Sequence, residues 1–130
     1  MKRLLLSSMA LLGAVSLSST ALAAGPAAKE MSTAAVHARL AEASQSVEVT
    51  DMHLHHVINC LVGSHGEGFD AAAGNPCQKL GGHGALRDAK KHSELYSKAK
   101  RALEEAHDGL GAHDLSAAHA AAHKVAEILK

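Results

Sequence analysis

Residues 85–130 read ALRDAKKHSELYSKAKRALEEAHDGLGAHDLSAAHAAAHKVAEILK, and their apolar side chains recur at spacings of three and four. This periodicity predicts two amphipathic helices, one over about 85–110 and one that starts at Asp114 as its N-cap. Gly109 and Gly111 end the first of these helices, so the link is short and the two helices should pack antiparallel. The segment therefore indicates an all-α fold of bundled helices.

Two further helices are expected upstream of this pair. Residues 31–46 are rich in Ala, Leu, Glu and Arg, which favour a helix. A second helix is expected over about 51–62, capped by Thr50 or Asp51. Its apolar face consists of Leu54, Val57, Ile58 and Leu61. Because residues 47–49 are a weak point between the two helices, the prediction is a small up-down bundle of four helices, or of three if the first two fuse.

A long glycine-rich segment separates the two halves of the chain. Residues 63–84 hold seven of the eleven glycines, which predicts a loop. Cys60 and Cys77 are the two cysteines of the chain. In an oxidising compartment they most simply form one disulfide, which pins the loop and contributes about 3 kcal/mol. A thiolate metal site is the alternative for these two cysteines.

The start of the chain has the features of an export signal. A basic start, an apolar run over 4–17 and small residues before a cleavage point after Ala23 predict a signal peptide over 1–23. The apolar run is too short and too rich in serine for a transmembrane anchor. We expect one helical-bundle domain over 24–130, with residues 24–30 as a frayed lead-in, in a periplasmic or secreted protein.

The composition excludes several classes of function. Thirteen basic and thirteen acidic residues give a formal net charge of zero, and aromatic residues make up 2% of the chain. A neutral chain without aromatic platforms is not expected to bind nucleic acid. No motif for nucleophilic, phosphoryl-transfer or zinc-protease chemistry occurs, so we do not expect an enzyme. The unusual feature is histidine, with eleven residues.

Two helical pairs of histidines have chelating spacing. His53 and His56 are three residues apart on the second predicted helix, and His119 and His123 are four apart on the last one. Side chains at these spacings share a helix face and can chelate one ion. His55 points elsewhere. The alternative for both pairs is a polar or solvated helix face.

The remaining histidines are weaker candidates. His92 and His107 lie beside the apolar face of the third predicted helix, and His37 occupies a similar place on the first. A lone histidine of this kind is more often a boundary residue than a ligand. The candidate metal ligands are His53, His56, His92, His107, His119 and His123.

The C-terminal half, residues 85–130 as quoted above, resembles the small metal-binding proteins of the bacterial periplasm, the SmbP-like group. Those proteins are short, exported and helical, with Ala, Glu and Lys between spaced histidines. The resemblance implies metal binding by His92, His107, His113, His119 and His123. The segment HLHHVINCLVG, with the later GNPC, lies outside this pattern.

Neutral imidazole suits divalent Cu, Ni and Zn. The sequence therefore predicts an exported protein that binds one of these metals for sequestration, buffering or delivery. The alternative is a non-enzymatic structural or interaction module whose histidines form a polar network or sense pH. A haem protein is disfavoured because an alanine-lined bundle with one Phe offers no wide apolar slot. Metal ions are the expected partners, and a homodimer is left as an alternative to a monomer. We expect no membrane association after signal cleavage.

Overall fold

The computed structural model describes residues 25–130, and the predicted signal peptide lies outside these residues. The helices are α1 (Pro26–Glu42), α2 (Val47–Val62), α3 (Ala85–Asp88), α4 (Ser93–Leu110) and α5 (Leu115–Ile128), with a short 3-10 helix at Gln78–Leu80. No strand occurs over 25–130, so the all-α prediction is confirmed. None of the helices in this range is both long enough and apolar enough to cross a membrane.

Four long helices form the bundle. Helix α1 packs against α2 and α5, and α4 packs against the same two helices from the opposite side. Helices α2 and α4 run antiparallel. Val62 at the end of α2 and Tyr96 near the start of α4 border one cavity, whereas Leu54, halfway along α2, faces Gly109 near the end of α4. The four long helices agree with the predicted up-down bundle. The fifth helix, α3, is short, and its separation from α4 was not predicted.

Helix α2 starts earlier than predicted because Ser46 is its cap. The Ser46 side chain accepts a hydrogen bond from the Val49 N–H, and the helix begins at Val47. Thr50, one of the two predicted caps, lies inside the helix and is buried, and its hydroxyl donates to the Ser46 carbonyl. Asp51 is likewise a residue of the helix. Both predicted caps are therefore wrong.

Helix α1 is displaced toward the N-terminus relative to the prediction. It begins at Pro26, where a proline in the first turn loses no hydrogen bond, and it ends at Glu42. Residues 26–30 of the predicted lead-in are therefore helical, and the predicted helix over 31–46 is wrong at both ends. The link between α1 and α2 consists of residues 43–46, so the first two helices do not fuse.

The predicted helix over 85–110 is interrupted. The chain turns between Asp88 and Ser93, with the Lys90 N–H bonded to the Arg87 carbonyl and the His92 N–H to the Ala89 carbonyl. This turn allows α3 to pack against α1, while α4 runs along α2 and α5. The predicted cap of the last helix is confirmed, because the Asp114 side chain accepts from the Ala117 N–H.

The glycine-rich segment is more structured than the predicted loop. Cys60 and Cys77 form a disulfide with a Cα–Cα distance of 5.2 Å, as predicted. The described residues contain no free cysteine, so the alternative thiolate site is wrong. The segment over 63–84 includes the 3-10 helix and several hydrogen-bonded turns. Its middle is therefore attached to the end of α2.

The core is built on α2 and on small residues of its neighbours. The predicted apolar face of α2 is fully buried and comprises Leu54, Val57, Ile58 and Leu61. Gly109 of α4 lies so close to α2 that a Cβ there would come within 2.7 Å of Leu54 Cδ1. Alanines on the other long helices are also fully buried, which permits close packing. The α1–α2 pair carries the site described next.

Candidate metal site between helices α1 and α2

Three histidine side chains meet between α1 and α2. His37 comes from α1, and His53 and His56 come from successive turns of α2. The Nδ1 atom of His37 lies 3.2 Å from Nδ1 of His53 and 3.3 Å from Nδ1 of His56. Each residue offers a ring nitrogen within 4.8 Å of the other two. Among the described residues, these are the one group of three or more His, Cys, Asp or Glu gathered this closely.

The spacing of the three rings suits a transition metal. A metal–imidazole bond of about 2.0–2.1 Å places two ligand nitrogens of a tetrahedral ion about 3.3 Å apart. Both Nδ1 separations measured from His37 match this value. Three nitrogens leave at least one coordination position for water or for a ligand brought by a partner. The arrangement can therefore hold an ion that remains open to exchange.

The environment of His37 and His53 favours neutral imidazole. All three side chains are half-buried. Burial, followed by the charges of His56 and His53, lowers the pKa of His37 to about 4. Burial and the charge of His56 also lower the pKa of His53. Neutral rings carry the lone pair that a metal requires, so His37 and His53 are in the binding state at neutral pH.

Hydrogen bonding assigns the protons of His56. Its Nε2 atom lies 2.7 Å from the carbonyl oxygen of Ala73. A carbonyl only accepts, so Nε2 carries the hydrogen, and Nδ1 of the neutral ring carries the lone pair that faces His37. Metal-binding histidines generally donate their second ring N–H to a carbonyl or carboxylate in this way. The Ala73 contact is therefore the outer partner expected of a ligand.

The third histidine of the HLHH run has a different neighbour. His55 lies on another face of α2, and its Nδ1 is 3.5 Å from a carboxylate oxygen of Asp70 in the glycine-rich segment. The expectation that His55 points away from His53 and His56 is confirmed. Two histidines of the run, His53 and His56, therefore belong to the three-histidine group, whereas His55 contacts the glycine-rich segment.

Among the described residues, the predicted pair on α5 belongs to no group of three or more possible ligands whose ligand atoms all lie within 4.8 Å of one another. His119 Nε2 lies 3.5 Å from the Ser44 hydroxyl, and His123 Nδ1 lies 2.9 Å from a carboxylate oxygen of Glu42. Both histidines therefore contact the end of α1 and the link that follows it. The His123 side chain is 57% exposed, so its contact with Glu42 lies at the protein surface.

The two candidates from the third predicted helix lie apart from the site. His92 is exposed at the N-cap position of α4, where its side chain makes no capping hydrogen bond. His107 is exposed near the end of α4, and a Cβ on Gly68 would lie 3.5 Å from its ring. The structure joins neither of them to His53 and His56.

His37 is the ligand candidate that sequence reasoning placed only at the helix boundary. The signal that identifies it is its distance from the link over 43–46. In two antiparallel helices joined by a short link, residues at equal distances from the link lie side by side. His37 and His53 are nearly equidistant from this link, and His56 lies one turn beyond His53.

Comparison of the chain with protein-family models, with curated protein sequences and with solved structures finds no match. The resemblance of the C-terminal half to the SmbP-like group therefore stays a prediction.

Proposed function

We propose that the protein binds one divalent transition metal ion, Cu, Ni or Zn, through Nδ1 of His37, His53 and His56. The single observation that supports this most strongly is the pair of Nδ1–Nδ1 separations, 3.2 and 3.3 Å, around His37. Imidazole ligands favour these three metals over Mg or Ca, and intrinsic affinities rise toward Cu(II). No catalytic group is needed for this function, so the proposed role is binding without catalysis.

The open coordination position suits storage and transfer better than permanent structural binding. Structural zinc sites usually have four protein ligands, whereas this group supplies three. An incoming ligand can take the open position and then displace the histidines one at a time. We therefore propose sequestration, buffering or delivery outside the cytoplasm, as the predicted signal peptide implies.

A polar network is the second candidate for the three histidines. The observation in its favour is that both Nδ1–Nδ1 distances also fall within hydrogen-bonding range. A neutral His37 has one ring proton to share, and placing it on Nδ1 would serve both neighbours in the absence of metal. This network and a metal site use the same geometry, so binding must be measured directly.

The test is titration of the purified protein with Cu(II), Ni(II) and Zn(II), by calorimetry with a competing chelator. We expect one tight site for the wild-type chain. The variants His37→Gln, His53→Gln and His56→Gln should lose more affinity than the roughly 10–100-fold that removal of an outer-shell partner costs. Glutamine keeps the polarity and approximate size of the side chain, so circular dichroism should show unchanged helix content.

The control is the double variant His119→Gln, His123→Gln, which removes two helical histidines outside the three-histidine group. It should retain the tight site. If the double variant loses the site and the three single variants keep it, the metal is bound on α5 and the assignment is wrong. If the wild-type chain has no tight site for any of the three metals, the polar network is the correct description.

A further inference from the structure

A buried amide attaches the glycine-rich segment to α2 close to the histidine group. The Asn59 side chain is fully buried. Its Nδ2 atom donates to the carbonyl oxygens of Asp70, at 2.7 Å, and Gly74, at 2.6 Å. Its Oδ1 atom accepts from the Asp70 N–H at 2.9 Å. Both amide hydrogens and the amide oxygen are therefore committed to the backbone over 70–74.

The residue between these attachment points contacts the metal site. Ala73, whose carbonyl oxygen accepts from His56 Nε2 at 2.7 Å, lies directly before Gly74. The disulfide attaches the same segment through Cys77. On α2, His56, Asn59 and Cys60 are spaced at three and four residues, so they share one helix face. One face of α2 thus carries a ligand candidate, the amide and the covalent attachment.

We propose that Asn59 is a positioning residue for the metal site: by fixing the backbone over 70–74, it holds the Ala73 carbonyl against His56 and so directs Nδ1 of His56 toward His37. This inference rests on the proposed function. Without the amide, the carbonyl is free to leave, and the His56 ring can rotate about its side-chain bonds. A ligand that must first be ordered binds metal more weakly, because the lost freedom opposes binding.

The test compares Asn59→Ala with Thr50→Val, a control on the same helix. Thr50 is also fully buried, and its hydroxyl bonds to the link before α2 rather than to the glycine-rich segment. Each variant loses buried hydrogen bonds, so each is expected to be less stable than the wild-type chain. Zn(II) and Cu(II) are titrated into all three proteins as the metals alone. We expect Asn59→Ala to weaken binding by about 10–100-fold and Thr50→Val to leave it unchanged.

A second measurement reports on His56 without metal. In nitrogen-15 spectra of the metal-free protein at neutral pH, the Nε2–H of His56 should be visible and protected from exchange with water. Asn59→Ala should abolish this protection and Thr50→Val should not. If Asn59→Ala does not fold, Asn59→Ser takes its place, since its hydroxyl can still serve one of the backbone groups, and an intermediate loss of affinity is expected.

Three results overturn the proposal. The first is a folded Asn59 variant that binds metal as tightly as the wild type. The second is an equal loss of affinity in the Asn59 and Thr50 variants, which would show that binding follows stability alone. The third is an Nε2–H of His56 that is unprotected in the wild-type protein. If the wild-type chain binds neither metal, the proposed function fails, and the His56 signal still decides whether Asn59 holds the ring.

Discussion

Replacing Glu30 with Gln should make the protein more stable above pH 7 and leave it nearly unchanged near pH 4.5. Glu30 lies on α1 with 1% of its surface exposed, and its Oε1 accepts from the Gly84 N–H at 3.0 Å. Its other carboxylate oxygen is buried without a hydrogen-bond partner. Burial and the charge of Asp88 raise the pKa of Glu30 to about 7, against the lowering effects of the Gly84 N–H and His83.

The size of the effect follows from the difference in pKa between the two states. In the unfolded chain Glu30 loses its proton near 4.5, whereas the folded chain retains it up to about 7. Between these values the folded state binds more protons, so the contribution of Glu30 to stability is full below pH 4.5 and is lost as the pH rises through 7. The pKa difference corresponds to about 3 kcal/mol of unfolding free energy. Glutamine resembles the protonated side chain and does not titrate.

The assay is urea unfolding of the wild type and Glu30→Gln, monitored by circular dichroism, at several pH values between 4.5 and 8. His37 and His53 titrate in both proteins, so the difference between the two stability curves isolates Glu30. It should grow with pH to about 3 kcal/mol and level off above pH 7. The control is Glu104→Gln, on the exposed face of α4, whose stability difference should be small throughout. A constant difference for Glu30→Gln across the pH range would refute the reasoning.

Three further outcomes are expected. Replacing Cys60 and Cys77 by Ala should lower the unfolding free energy by about 3 kcal/mol, since the two residues are 17 positions apart and the bridge closes the loop between them. Denaturant unfolding checks this, and an unchanged unfolding midpoint would contradict it. Ser46→Ala should cost about 1 kcal/mol in the same assay through loss of the α2 cap, and a cost near zero would show that the cap is dispensable. Between pH 6 and 5 the logarithm of the metal affinity should fall by at most two per pH unit, because His37, with a pKa of about 4, takes up no proton there and at most two ligand candidates can. Metal titration at several pH values checks this, and a slope of three would contradict it.

The sequence was sufficient for the parts of the fold that periodicity controls. The apolar face of α2 was predicted correctly because its residues recur at helical spacing and all lie in the core. The cap at Asp114 was also predictable, since it directly precedes a periodic segment. Ser46 was missed because the β-branched residues over 47–49 indicate a weak helix former, and burial of the next turn overrides that preference. The turn before α4 was missed because residues 89–92 contain neither glycine nor proline.

The misplaced link between the first two helices also concealed the third ligand candidate. With the link centred on residues 47–49, the position opposite His37 is close to Asn59, so no partner among the other histidines is evident. With the link at 43–46, the opposite position lies beside His53. An error of a few residues in one helix boundary thus determined whether two ligand candidates were expected together or three. Spacing within one helix can be read from sequence, but pairing between helices depends on where the chain turns.

The polar residues of α2 are difficult to explain by stability alone. His53, His56 and Asn59 lie on a helix whose neighbouring side chains form the core, and each costs helix propensity relative to alanine. A neutral His56 that donates through Nε2 presents a lone pair to His37, and His37 has only one proton to share between two neighbours. In the metal-free protein one proton on Nδ1 of His37 therefore serves both neighbouring nitrogens, at 3.2 and 3.3 Å, and a shared hydrogen bond is weaker than two separate ones. In the proposed metal-bound state the ion would take a lone pair from each of the three rings and no proton would be shared, so the arrangement favours the bound state that we propose.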